Sequence, residues 1–386
     1  MPVRLLPVLL ALACLAAGMA SAAPPVVHSS EPFEAPRTVR LVELWRVGGD
    51  DPDLMFGLMV IADCDAAGNV YLMDQQLNTV TVVSHEGEVT GQLFREGDGP
   101  GEIRTPQGIA VLADGRVALA QQFPGKFIMV DRAGDPAGSI TVVGGKDPNE
   151  GFTVLAGCSQ RNGVLLGAGM FQVPQDGMQT RTSYIAKIDP VEGREVIRYR
   201  VHDTVLDFKE AKLIEREMIA PCYTYALGPD GRMYFARDWR EYAVEVVSPE
   251  GETERVITRE FDPLPRTKQE KARIDELFEV QAEQLPFQIT WETEPTEQYV
   301  GGLHVWTDGT LWVSHNRSGH DLPEGVFTSF DSFDMDGRWQ QVVHLEAEGN
   351  PDYDGLIFLN DDRVLLVKGL VLARLTASGS QGAVFD

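Results

Sequence analysis

The sequence predicts an all-β fold: a six-bladed β-propeller of four-stranded antiparallel blades. Three observations predict it. Tight turns, nearly all of X-Gly type, recur along nearly the whole chain. The runs between them are short, apolar or β-branched, and of strand length. The turns fall into two kinds that alternate strictly, and successive turns of the first kind are 47, 48, 68, 78 and 53 residues apart, the length of a four-stranded blade with or without insertions.

The first kind of turn is Ala67-Gly68, Asp114-Gly115, Asn162-Gly163, Asp230-Gly231, Asp308-Gly309 and Asp361-Asp362. The second is Glu86-Gly87, Ala133-Gly134, Glu192-Gly193, Glu250-Gly251, Asp336-Gly337 and Ser378-Gly379. Glycine at these places supplies the positive φ that a tight hairpin needs. Six of each kind predict six blades. The last repeat ends before a fourth strand, while Thr38–Val47 near the N-terminus reads as a strand without a repeat of its own. The expectation is that this N-terminal strand completes the last blade and removes its open edge. One insertion reads as a helix near residues 267–285. Thr267 and Glu270 form a capping box, Ile274, Leu277, Phe278, Ala282 and Leu285 share a face, and Pro286 ends the run.

Residues 1–22 read as a signal peptide, with Arg4, an apolar stretch from Leu5 to about Ala20, and the small-residue cleavage site Ala20-Ser21-Ala22. The apolar run is short for a membrane span. Lipidation at Cys14 is the alternative, but a lipobox wants Leu where Ala11 stands. Residues 23–37 follow as a linker and 38–386 as the propeller domain. The expected location is therefore extracytoplasmic, periplasmic or secreted, with no integral membrane segment after cleavage.

Removal of residues 1–22 leaves 32 basic against 58 acidic residues, a net charge of −26. Such a surface repels nucleic acid and anionic lipid. Cys64, Cys158 and Cys222 remain, none in a metal-binding spacing. Their apolar surroundings predict buried structural thiols, with a Cys158–Cys222 bond the alternative.

The run Gly97-Asp-Gly-Pro-Gly-Glu-Ile103, followed by Pro106-Gln107-Gly108-Ile109 and a D-G turn, resembles the bacterial exported six-bladed β-propeller family, which is related to NHL-repeat propellers. The resemblance covers essentially the whole mature chain and implies the fold. It implies no reaction, because the wider six-bladed group contains lactonases, amidating lyases and non-enzymatic binding modules. The glycine-rich loop precedes a strand and not a helix, so it has no helix N-terminus to offer a phosphate.

In a four-stranded meander the tight turns counted above share one face, and the long connections share the other. Function is expected on that long-loop face. Residues 168–183 in blade three and 315–326 in blade five read as long loops there. The candidate ligand-binding residues are Arg104, Arg237, Trp239, Arg240, His315, Asn316, Arg317 and His320. Arginine forks, an aromatic face and paired histidines suit an anionic or sugar-like ligand. The competing reading is that the arginines pair with neighbouring acids.

No nucleophile elbow occurs, so no catalytic residue is assigned. The expectation is a binding or scaffold module for an unidentified small molecule or protein, with no cofactor. The alternative is a lactonase-like or lyase-like enzyme using calcium or zinc near His315, His320 and Asp321, with His304 as a further ligand.

Overall fold

The computed structural model describes residues 23–49, 54, 56–57, 59–142, 151–218, 224–283 and 288–369. They form an all-β propeller with four-stranded antiparallel blades, each a meander in the order of the chain. Blade one is Met59–Cys64, Val70–Asp74, Thr79–Val83 and Val89–Leu93. Blade two runs from Pro106–Val111 to Pro136–Thr141, and blade three from Phe152–Arg161 to Glu195–Asp207. Blade four runs from Tyr225–Leu227 to Thr253–Arg259, and blade five from Val300–Val305 to Trp339–Glu346.

The blade count corrects the expectation of six. Five four-stranded blades are present among the described residues, and the last repeat contributes a two-stranded hairpin, Gly355–Phe358 and Val364–Val367. Its expected second turn, Ser378-Gly379, lies outside the described residues, as do Cys14, Cys222 and the signal peptide. The hairpin bridges blades five and one: Phe358 packs with Trp312 and Phe330 of blade five, and Leu359 with Cys64 and Leu72 of blade one. Each neighbouring pair of blades likewise shares one apolar cluster, such as Phe127, Leu155 and Tyr184 between blades two and three. Burial of such side chains, about 1.5–3 kcal/mol each, holds the ring together.

The N-terminal strand does not complete the last blade. Arg37–Arg40 pairs in parallel with Trp339–Glu346, the outer strand of blade five. Val26–Ser29, within the segment expected to be a linker, pairs in parallel with the outer strand of blade four. The backbone between them bonds Trp339 and Gln340 through Phe33 and Glu34. Trp45 and Val47 then pack against the core of blade one. Parallel addition satisfies the open edge of two outer strands, so the N-terminal segment is an external strap across blades four, five and one.

Residues 168–183 are also not a loop. Val164–Gln175 and Met178–Ile188 pair to the tip, where Gln175 faces Met178 across Asp176 and Gly177. Blade three therefore projects as a long hairpin. The helical insertion forms as Lys268–Glu283, with Thr267 N–H on Glu270 Oε2 (2.6 Å) and Glu270 N–H on Thr267 Oγ1 (3.2 Å); Leu285 and the expected stop Pro286 lie outside the described residues.

The two quoted motifs are structural. Pro106-Gln107-Gly108 is a β-bulge in the innermost strand of blade two, and matching bulges interrupt the inner strands of blades one, three and five. A Cβ on Gly108 would lie 2.4 Å from the Cys158 nitrogen of blade three. In the glycine-rich loop, Glu102 folds back to accept from Gly99 N–H and Arg95 Nε, both at 2.8 Å, and Ile103 plugs the seam between blades one and two.

Candidate functional site

Of the eight residues expected on the long-loop face, seven have side chains that meet a partner and the eighth, His320, is held by its backbone. Arg104 donates to Glu96 (2.6 Å) and Asp98 (3.2 Å) at the surface. Arg237 is exposed and lies 3.7 Å from Glu241. Trp239 is buried and its indole N–H reaches Thr296 O at 3.2 Å, while Arg240 binds Glu294 at 2.6 Å. Asn316 both donates to and accepts from the Leu264 backbone, and Arg317 binds Asp262 at 2.8 Å. His320 is exposed, its backbone N–H on Arg317 O.

The bonds of Trp239, Arg240, Asn316 and Arg317 fasten two loops of blades four and five to the insertion between them. Glu294 is fully buried and also takes Arg216 at 2.7 Å, while Glu215 takes Arg266 and the Glu294 N–H, each at 2.7 Å. His315 turns inward, 3.5 Å from Asp331. Asp331 also accepts from Arg259 at 2.7 Å and from the Tyr242 hydroxyl. Burial pushes the Asp331 carboxyl up, but the bonds and charges of His315, Arg259 and Tyr242 outweigh it and hold it below its ordinary value. The Arg259 guanidinium lies 4.4, 4.9 and 4.5 Å from the rings of Tyr242, Phe261 and Trp339. His315 and the exposed His320 do not converge with Asp321. Among the described residues no group of three or more His, Cys, Asp or Glu is placed to hold a metal ion, so these residues do not fit the calcium or zinc site that the alternative requires.

A different polar cluster sits inside the ring. The innermost strands of all five blades and of the hairpin line a central cavity of about 250 Å³. Near the tight-turn end of these strands, Asp63 accepts four hydrogen bonds: Val111 N–H (2.8 Å), Cys64 N–H (2.8 Å), Gln160 Nε2 (3.1 Å) and Asn360 Nδ2 (3.4 Å). Arg161, 4% exposed, donates through Nη1 to Leu227 O (3.0 Å) and Val305 O (2.5 Å). Asp63 thus ties blades one, two and three to the hairpin, and Arg161 ties blades three, four and five.

Neither charge has an ion-pair partner among the described residues. Burial pushes the Asp63 carboxyl up to about 6 against its four hydrogen bonds. Burial lowers Arg161 as well. His304, stacked on Phe358 at 4.7 Å, is pushed down to about 4 by burial and by the charge of Arg161. Arg161 Nη2 and His304 Nε2 are buried without a hydrogen-bond partner. The free thiols Cys64 and Cys158 are buried and raised, first by burial, with Cys64 at about 12, so neither is poised as a nucleophile.

The sequence carries a signal for part of this cluster. Four residues before each first-kind turn stand Asp63, Ala110, Cys158, Ala226, His304 and Ile357. Two ionisable residues in a column otherwise small or apolar mark the channel. A larger cavity, about 1570 Å³, lies between the N-terminal strap and the hairpin; Gly369, the last described residue, is part of its wall, so the described residues bound it only in part.

No family model matches the sequence, and no curated protein matches it. The expected membership of the exported six-bladed family thus finds no matching model. Solved propeller structures resemble the chain at low identity. An exported protein from Bacteroides fragilis aligns at 12% identity over 88% of this chain and 86% of its own, with a TM-score of 0.43. A gluconolactonase from Xanthomonas campestris aligns at 14% identity over 82% and 85%, with a TM-score of 0.41. Virginiamycin B lyase from Staphylococcus aureus aligns at 11% identity over 80% and 76%, with a TM-score of 0.39. Likeness at this level carries no argument about activity.

Proposed function

We propose that the protein is an extracytoplasmic binding module that holds a small polar molecule in its central channel. One observation carries the reading: Arg161 and His304 line the same cavity, and each keeps a buried polar atom without a partner. Buried polar groups are normally satisfied, and two orphans lining one cavity can both take a partner from what fills it. The long-loop face, with Ala156 and Gly301 exposed at the bulges of its inner strands, is the route of entry. Trp239, Arg240 and Arg317 serve to fix the loops around that route. Location outside the cytoplasm rests on the character of residues 1–22. Among the described residues no helix is long and apolar enough to cross a membrane.

A thermal-shift screen of small polar molecules tests the reading. Molecules that stabilise the wild type should not stabilise Ser159→Leu, which fills the cavity beside Tyr225. Equal stabilisation of both proteins would place binding elsewhere and overturn it.

A further inference from the structure

The channel reading leaves open which chemistry the cavity accepts, and its charges answer that. We infer that the site takes a small monoanion, a carboxylate or a halide, with its charge on Arg161 Nη2 and a second contact from His304 Nε2. The inference rests on the channel reading above.

Four steps lead to it. Asp63 offers no free acceptor: a carboxylate has about four lone-pair sites, and four donors already fill them. A ligand that donates hydrogen bonds therefore finds no vacant acceptor there. Arg161 is opposite in kind. Its Nη1 is committed to two neutral carbonyls, which orient the guanidinium without neutralising it. A buried cation without a close ion pair is costly; the carboxylates of Asp362 and Asp230 act on Arg161 only from beyond ion-pair distance, and an anion reaching Nη2 relieves that cost. His304 is close enough to feel the charge of Arg161 and is neutral at physiological pH, so its ring N–H can complete the contact without adding a second positive charge. The site already holds the Asp63 carboxylate, so a ligand that adds one negative charge at Nη2 is favoured over one that adds two. The cavity volume of about 250 Å³ corresponds to about eight waters, which admits a small molecule and excludes a nucleotide or an oligosaccharide.

Calorimetry on the full mature chain with acetate, chloride and acetamide tests this. Acetamide is the neutral isostere of acetate. The expected result is saturable acetate or chloride binding with acetamide weaker by about tenfold or more, the loss of a charged hydrogen bond. Whichever of acetate and chloride binds more tightly identifies the source of the charge. His304→Leu, which leaves the Arg161 bonds in place, should weaken the anion severalfold, and Arg161→Met should abolish its binding. Acetamide binding as tightly as acetate would overturn the monoanion while leaving the channel reading intact. Equal acetate binding by the wild type, His304→Leu and Arg161→Met would remove both, and no saturable binding of acetate or chloride would overturn the monoanion.

Discussion

The rim around blades four and five and the floor of the channel both bury charge, and they do so in opposite ways. At the rim each buried charge meets a counter-charge: Glu294 with Arg216 and Arg240, Glu215 with Arg266, Asp331 with Arg259. At the floor Asp63 and Arg161 are held by amides and carbonyls alone. Paired charges fix geometry and leave little over for a ligand. Dipole-held charges fix geometry and keep their field. The density of arginine and histidine that singles out the rim in sequence is therefore a sign of fastening, and the sparser floor is the better place to look for recognition.

The largest expected effect breaks a rim pair. Asp331→Ala leaves Arg259 buried among three rings without its acid, and about 3–5 kcal/mol of unfolding free energy should be lost in a denaturant titration. A loss below about 1 kcal/mol would show that the rim does not depend on pairing.

The floor should show itself in pH. The folded carboxyl of Asp63 titrates at about 6 against an ordinary 3.8, so the folded state binds a proton more tightly than the unfolded one. Its stabilising contribution is complete below the ordinary value and is lost as pH rises through about 6, a change of about 3 kcal/mol. The stability of the wild type relative to Asp63→Asn should fall by about that amount between pH 4 and pH 7. A pH-independent difference would mean that Asp63 is neutral or solvated throughout.

Smaller effects sharpen the contrast. Thr267→Ala removes one half of the capping box beside the rim and should cost about 1 kcal/mol. Arg104→Ala and Arg237→Ala, whose pairs lie at the surface, should change stability by no more than about 0.5 kcal/mol and leave channel binding unchanged. Binding lost in either would restore the long-loop arginines as ligand contacts.

What could be read from sequence was local. The turn glycines Gly68, Gly115, Gly231 and Gly309 all adopt positive φ, and the capping box closes as its spacing requires. What could not be read depends on partners distant in the chain. Nothing in Val26–Ser29 says that it will pair with residues 256–259, or in Arg37–Arg40 that it will pair with residues 343–346. The alternation in residues 168–183 was obscured by Gly, Pro and Asp, which read as loop. The floor draws Asp63 from blade one, Gln160 and Arg161 from blade three and Asn360 from the hairpin, and of these only Asp63 stands, like His304, in the column four residues before a turn that hints at the channel. The blade count falls short in the last repeat: its first turn, Asp361-Asp362, closes a hairpin without glycine, and its second turn, Ser378-Gly379, lies outside the described residues.

The bond between Asn360 and Asp63 spans 297 positions of sequence. A contact of that span must wait for nearly the whole chain, because loop-closure entropy opposes it until the intervening blades are in place. Blades one to three can assemble from neighbouring residues as they emerge, whereas the floor can close only when the hairpin arrives. The cavity is thus made last, and a chain halted before residue 360 would own its blades but not the closed floor of its channel.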